Sequence, residues 1–387
     1  MNNKIIYQNT VCPYFKEYDP QFKFHNIGNV LDNFGSIFNS KNKIKLIKPK
    51  NILVFKLDRI GDITKSIFFL KELKSRFKEC KITLLVLNKN EDYAKLIPYV
   101  DKVLSVQINE KLYLEYKYLN NIFVRLFGFT YFMLFDFFKI IKLLRITSFD
   151  VGFDLVGRRR NALIMRFLKI KEIIGFNLPV FKFLFTKTLN YKENKNITLQ
   201  QIDMISLIDG KDSNFNFEKI NFKNIKNVTS KNIIGIHIGY GYENSRNWGV
   251  NNFSELIKLL LQKNYLVHIF YSKYEYKEAK ELKKSLEKHK NLKFFETKNI
   301  IDYLNKLSKV EFFIGIDSGT SHMADVLGKK GIYLFSRESG IKWGPLNPNA
   351  YVLKGISKTC SVRNCKYNYC IKNISPQIVL DTIEKLR

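Results

Sequence analysis

A chain of 387 residues, 45% of them apolar, is too long for one ordinary core and long enough to bury two. Five cysteines in a chain of this size exclude a disulfide scaffold. The 65 Lys+Arg against 35 Asp+Glu leave a net charge of +30, a field that attracts phosphorylated lipid, nucleic acid or acidic glycans, or that simply follows from a sequence rich in Lys, Asn, Ile, Phe and Tyr throughout.

Met1 to Tyr14 holds no apolar run of signal-peptide length and is broken by Asn, Gln and Pro, so a cytosolic protein is expected. Residues 1–50, aromatic and without periodicity, read as an N-terminal extension packed on or trailing from a first domain over 51–210. That domain opens with a buried-strand run, Ile52 to Leu57. Asp62 to Phe77 follows, and its Ile63, Ile67, Leu70 and Leu73 share one helix face. Further strands are expected at Ile82–Leu87 and Val103–Val106.

An apolar insertion, 117–145, comes next. Its uncharged run, Leu126 to Phe135, is ten residues long, too short to span roughly 30 Å of hydrocarbon. On a helical wheel Arg125, Asp136, Lys139 and Lys142 fall within about a third of the circumference. Two readings fit this pattern equally: a helix lying in a membrane interface with its aromatic side in lipid, and a core helix with one wet edge. The α/β rhythm resumes with a strand at Asp150–Asp154, a helix over Asn161–Leu168 and a strand at Glu172–Phe176.

The polar stretch 211–231 reads as a linker to a second domain, 232–374. Strands are expected there at Asn232–Gly239, Leu266–Tyr271, Leu292–Glu296, Phe312–Ile316 and Gly331–Phe335. A C-terminal helix within 375–387 can close against either domain. Strands alternating with helices imply, in each half, a parallel sheet covered on both faces.

Loops at the carboxyl ends of such strands carry ligand chemistry. The first is Asp58-Arg-Ile-Gly-Asp62, where Gly61 lets the backbone turn tightly. Asp62 reads first as a helix N-cap, the ordinary role of an acid at a helix start, and alternatively as an acid facing a substrate. One glycine satisfies neither G-x-G-x-x-G nor a phosphate-cradling Gly-Lys-Ser/Thr loop, which disfavours both cofactor readings. Arg158, Arg159 and Arg160 follow another strand end and can meet phosphates or acidic sugars, although three adjacent arginines cannot all face one way.

In the second domain, Phe312 to Leu327 packs strand, tight loop and helix into sixteen residues. The free amides of Gly319, Thr320 and Ser321 there suit an anionic diphosphate without a bound cation. Asp317 and Ser318 stand at the strand end; Asp317 can accept from sugar hydroxyls, and His322 can donate to a phosphate. A companion loop, Gly239 to Trp248, supplies Ser245 as a donor and Arg246 as a bidentate clamp, with Trp248 anchoring the loop by packing. Glu338, in Phe335-Ser-Arg-Glu-Ser339, is placed to meet a nucleoside.

Together Leu57-Asp-Arg-Ile-Gly-Asp62, Gly235-Ile-His-Ile-Gly239 with its loop to Trp248, Gly315-Ile-Asp-Ser-Gly-Thr-Ser-His322 and Trp343-Gly-Pro345 resemble glycosyltransferase family 9, the ADP-heptose:lipopolysaccharide heptosyltransferases, over about residues 51–387. The resemblance implies a GT-B fold, two Rossmann-like domains whose parallel sheets face a central cleft. It implies an inverting, metal-independent transfer of a sugar, heptose from ADP-heptose, to a lipopolysaccharide-core or related glycolipid acceptor, with the same fold using a different nucleotide sugar for another surface glycan as the alternative, since the phosphate-binding parts do not identify the sugar. That work would be done by a peripheral protein on the cytoplasmic face of the inner membrane. It puts Asp62 where the family has its catalytic base and Asp317, Gly319, Thr320 and His322 in the donor-binding segment. Arg246 stands where members often have Lys, so a planar fork replaces a mobile point charge.

Cys360, Cys365 and Cys370 offer three sulfurs and no evident fourth ligand, so a structural role is preferred to a metal site. No bound cofactor is expected; the nucleotide sugar is a co-substrate. A nucleic-acid partner is not expected either, because the charge is dispersed and no recognised binding module is present.

Overall fold

The computed structural model describes residues 4–8, 48–110, 130–177, 182–226, 228–240, 244–286, 288–356, 360, 365 and 367–387. Most of the N-terminal extension, Cys12, Arg125 with the first half of the apolar insertion, and the Gly241–Glu243 part of the companion loop lie outside the described residues. The described residues fall into two compact units, one of 48–192 and 198–215, the other of 4–8, 193–197 and 216–387.

Strands in chain order are β1 Lys4–Tyr7, β2 Asn51–Phe55, β3 Lys81–Leu87, β4 Lys102–Val106, β5 Val151–Asp154, β6 Glu172–Phe176 and β7 Lys187–Leu189, then β8 Ile233–His237, β9 Leu266–Tyr271, β10 Leu292–Glu296, β11 Phe312–Ile316, β12 Lys330–Phe335 and β13 Ala350–Lys354. The first unit holds the sheet β4-β3-β2-β5-β6-β7, parallel throughout. The second holds β1-β13-β12-β11-β8-β9-β10, also parallel. The first sheet starts in its middle, winds outward one way, then reverses and winds the other way; β8 to β13 repeat this in the second, to which β1 adds the edge beside β13. The reversal falls between β2 and β5 in one and between β8 and β11 in the other, where crossovers leave in opposite directions and open a crevice at the strand ends.

Apolar runs make these central strands. β5, β8 and β11 are buried at every position, as a sheet covered on both faces requires. The first core joins Leu53, Phe55, Leu85, Ile164 and Ile173; the second joins Ile234, Ile236, Trp248, Ile257 and Ile314. Trp248 does anchor its loop: it is 1% exposed, packs edge-on against Phe253, and donates its indole N–H to the Ile374 carbonyl at 2.9 Å.

Two features differ from the sequence reading, and a third settles an alternative it left open. Lys4–Tyr7 adds an edge strand to the second sheet, beside β13, and does not join the first. The single helix expected over 62–77 is two, Ile60–Lys65 and Ile67–Arg76. Thr64 and Ser66 return their hydroxyls to the Ile60 and Asp62 carbonyls at 2.9 and 3.1 Å, a back-bonding that bends helices. The closing helix, Pro376–Leu386, capped by Ser375 and led by proline, buries Val379, Leu380 and Ile383 in the second core.

Replacing Trp248 by alanine removes a buried ring and orphans the Ile374 carbonyl. The expected cost is about 3–5 kcal/mol. The measurement is the urea midpoint of the variant, followed by far-UV circular dichroism.

Candidate active site

Strand β2 runs into Lys56, Leu57 and Asp58, and the helix Ile60–Lys65 begins two residues later. Lys56 is buried and reaches Asp58 at 3.4 Å, while Asn90 donates to the Asp58 carbonyl at 2.8 Å. These contacts fix the turn. The N-cap is Arg59, with extended backbone and no side-chain cap. Asp62 is therefore not the cap that one reading of the sequence made it. It is the third helical residue, half-buried, in the turn where the dipole favours an anion.

Because β5 neighbours β2, its outgoing loop lies at the same end of the sheet. Asp154 closes that loop: fully buried, it accepts from the amides of Val156 and Arg158 at 3.1 and 2.6 Å and from Asn161 at 2.8 Å. Burial pushes its carboxyl above the usual carboxylate range, and the three hydrogen bonds pull partly back. The arginine triplet diverges beyond it. Arg159 is exposed, Arg158 is half-buried, and Arg160 is buried with its guanidinium stacked on the Phe132 ring at 4.7 Å.

In the second unit the loops after β8 and β11 meet. Arg246 ends the short turn Asn244–Arg246 and donates through Nη1 to the Asp317 carbonyl at 2.6 Å. The same nitrogen lies 3.6 Å from Asp317 Oδ2, and His322 Nε2 lies 3.7 Å from Oδ1. Asp317, 5% exposed, is thus bracketed by a guanidinium and an imidazole. These three residues, 71 and 5 positions apart in sequence, form one cluster.

The helix Gly319–Val326 starts directly behind it. Ser318 is the N-cap in extended backbone but does not cap with its side chain, which shares a hydrogen bond with Thr320 at 2.7 Å. The first amides of a helix have no intrahelical partner, so those of Gly319, Thr320 and Ser321 are left for an anion. The Ser321 hydroxyl is not: it is buried and donates to the Ile316 carbonyl. A side chain at Gly315 would come within 2.8 Å of Phe313 and 2.9 Å of that hydroxyl, which explains the glycine. Ser245 is 2% exposed, and its Oγ has no partner among the described residues.

Glu338 sits past the end of β12 in an ion pair with Arg337 at 2.6 Å. Lys354, at the end of β13 and 2% exposed, donates to the Glu338 carbonyl at 2.7 Å. Burial brings its ammonium down to about 8, with Cys370, Glu338 and Asp317 among the groups drawing it back up. On the helix behind, Asp325 accepts from the Leu346 and Asn347 amides at 3.1 and 2.9 Å, and so fixes the Trp343-Gly-Pro345 loop. Cys360 and Cys370 pack with Ile356, while Cys365 is half-buried; none of the three forms a disulfide.

Sequence reasoning missed His237, Glu275, Asp325 and Lys354. Only burial and partners reveal them, because a strand-end His or a first-turn Glu has no distinctive spacing. His237, at the end of β8, accepts the Gly239 amide on Nδ1 at 3.1 Å and stands edge-on to Tyr303 at 5.7 Å. A Cβ on Gly239 would fall 2.5 Å from the His237 ring and 2.6 Å from Glu275, which is itself held by the Ser272 amide at 2.9 Å.

Residues 137–370 match the family model for glycosyltransferase family 9 (heptosyltransferase). Among solved structures, the Veillonella parvula glycosyl transferase of family 9 superposes with a TM-score of 0.71, covering 89% of this chain and 99% of that one at 16% identity. The Escherichia coli ADP-heptose lipopolysaccharide heptosyltransferase II gives 0.67, 87%, 98% and 16% in the same order. Heptosyltransferase WaaC of E. coli, solved with ADP, gives 0.68, 87%, 100% and 13%. At these identities the likeness concerns the fold, two parallel-sheet α/β units of the GT-B class. No curated protein matches the sequence.

Burial holds the His237 pKa below its usual value, with Glu275 pulling partly back. A lowered histidine pKa means that the unfolded chain binds the proton more readily. Stability is therefore expected to fall as pH drops below about 6.5. Thermal midpoints from pH 8 down to 5 should show this acid limb, and His237→Gln, which keeps an acceptor for Gly239, should flatten it.

Proposed function

This chain belongs to glycosyltransferase family 9, and from that premise we propose that it transfers heptose from ADP-heptose, with inversion, to a lipopolysaccharide-core or related glycolipid acceptor. The observation that carries the proposal is the Arg246–Asp317–His322 cluster at the switch point of the second sheet, set before the uncapped amides of Gly319–Val326. The choice of ADP and heptose leans on the relatives solved with ADP and with ADP-2-deoxy-2-fluoro heptose.

In this reading the diphosphate lies on the amides of Gly319, Thr320 and Ser321. Arg246 clamps it through a planar fork, and Ser245, whose Oγ meets no partner among the described residues, donates to a phosphate oxygen. His322 donates to the same group. Asp317, held by Arg246 and His322, accepts from hydroxyls of the sugar, and Glu338 faces the ribose. These donors are fixed in advance, so they cost little reorganisation when charge develops on the leaving group.

Asp62 acts as general base. As the acceptor hydroxyl attacks the anomeric carbon, its proton passes to the Asp62 carboxylate. A new carbon–oxygen bond forms on the face opposite the diphosphate, and the bond to the diphosphate breaks, releasing ADP. Gly61 keeps the backbone beside Asp62 low. Arg159 and Arg158, at the neighbouring strand end, meet phosphates or acidic sugars of the acceptor, while the stacked, buried Arg160 supports Phe132. The acceptor is met at the cytoplasmic face of the inner membrane.

A thermal-shift series against ADP-, GDP- and UDP-sugars tests the donor: ADP-heptose should give the largest rise, and a preference for a UDP-sugar would replace it. Asp62→Asn should lower kcat by about a hundredfold or more while leaving ADP-heptose affinity within a few-fold. Full activity in that variant would remove Asp62 from the mechanism. Arg246→Ala should instead raise the donor Kd by about ten- to a hundredfold, the worth of a charged hydrogen bond. Because amides and cationic side chains do the work of a metal ion here, EDTA is expected to leave the initial rate unchanged, and strict dependence on magnesium would contradict that assignment.

A further inference from the structure

The apolar insertion left two readings open, and its described half bears on both. From 130 to 144 the chain is one helix with a wider π turn at Phe132–Asp136. One side, Phe132, Phe137, Ile140, Ile141 and Leu144, is buried in the first core. A core helix with a wet edge would turn charge outward along its whole length. This helix does not: Leu134, Phe135 and Phe138 are 60%, 52% and 58% exposed.

Lys139, Lys142 and Arg145 continue the same outer face, all exposed. Its one acid, Asp136, is turned inward and buried. Beyond the helix stand Ile146 and Phe167, also largely exposed. The rings of Phe138 and Phe167 flank the buried Phe137 at 5.5 and 5.4 Å, which joins them into one surface. Five of the fourteen exposed large apolar side chains among the described residues fall in this patch, so it is a cluster rather than the usual scatter.

Resting on the reading that the acceptor is a glycolipid, we infer that this face docks on an anionic bilayer surface, with Leu134, Phe135, Phe138, Ile146 and Phe167 in the acyl boundary and Lys139, Lys142 and Arg145 on the headgroups. The chemistry selects this occupant. Aromatic and leucyl side chains beside a basic, acid-free rim match an interface of lipid tails below phosphate groups. A second copy would set the same three cations against a chain of net charge +30 and meet repulsion. The helix is anchored rather than inserted: no helix among the described residues is long and apolar enough to cross a membrane.

The test is co-sedimentation of the full chain with vesicles of phosphatidylethanolamine and phosphatidylglycerol, against phosphatidylcholine alone. Wild type should bind the anionic vesicles, more weakly as salt rises. Phe135→Asp with Phe138→Asp should lower that partitioning by about tenfold or more, and Lys139→Glu with Lys142→Glu should abolish the preference for anionic lipid. Tyr274→Asp, at an exposed site in the other unit, should change nothing. Should the aspartate pair fail to fold, Phe138→Trp reports directly: quenching by brominated lipid supports docking, and no quenching in bound protein overturns it. Unchanged binding in the aspartate pair, absence of wild-type binding, or a dimer that this pair dissociates would each overturn the inference. The ADP-heptose thermal shift, run on the same samples, separates the two readings, since a chain that docks through this face without binding ADP-heptose keeps the inference and loses the donor.

Discussion

Everything in the catalytic account hangs on where the strand order reverses in each parallel sheet. In the second sheet β8 and β11 are neighbours, although 74 residues separate the end of one from the start of the other. Their crossovers leave in opposite directions, and the loops at their carboxyl ends are left facing each other. Arg246 meets Asp317 because of that topology and for no local reason. The first sheet repeats the device with β2 and β5, so Asp62 and the arginines after Asp154 share one end of the sheet. Central strands buried almost throughout, β5, β8 and β11 at every position, are the condition for both. Only strands buried on two faces can place their loops so rigidly.

Electrostatic support is layered behind the residues proposed to touch substrate. Asp317 is nearly inaccessible and gains the Arg246 guanidinium and the His322 imidazole as neighbours, and the guanidinium compensates a charge removed from water. Behind it, Lys354 ties the Glu338 backbone and Asp325 ties the loop after Pro345. His237 is kept neutral by burial and orients the Gly239 amide at the start of the companion loop. Such groups hold geometry rather than perform chemistry. Their value lies in presenting unmet donors, the helix amides and the Ser245 hydroxyl, at no cost when a ligand arrives.

Much of the fold was legible because the strands are uniformly apolar and bounded by turn residues. Glu172–Phe176, Leu266–Tyr271, Leu292–Glu296 and Phe312–Ile316 were read to the residue. The three-residue β7, the four-residue edge strand β1 and β13, a run of four uncharged residues ended by Lys354, were not. In the site, the tight loop Asp317–His322 announced itself by composition, whereas the inward turn of Ser321 and the stacking of Arg160 on Phe132 depend on packing that no spacing encodes. The break between Thr64 and Ser66 is instructive. Apolar periodicity ran straight through it, yet two hydroxyls competing for backbone carbonyls ended the first helix there.

The measurement that bears most directly on the central claim is a crystal structure of the chain with ADP bound. The expected result places the diphosphate within hydrogen-bonding distance of the amides of Gly319, Thr320 and Ser321 and of the Arg246 guanidinium. ADP bound elsewhere on the chain, or no binding of ADP at millimolar concentration, would contradict it.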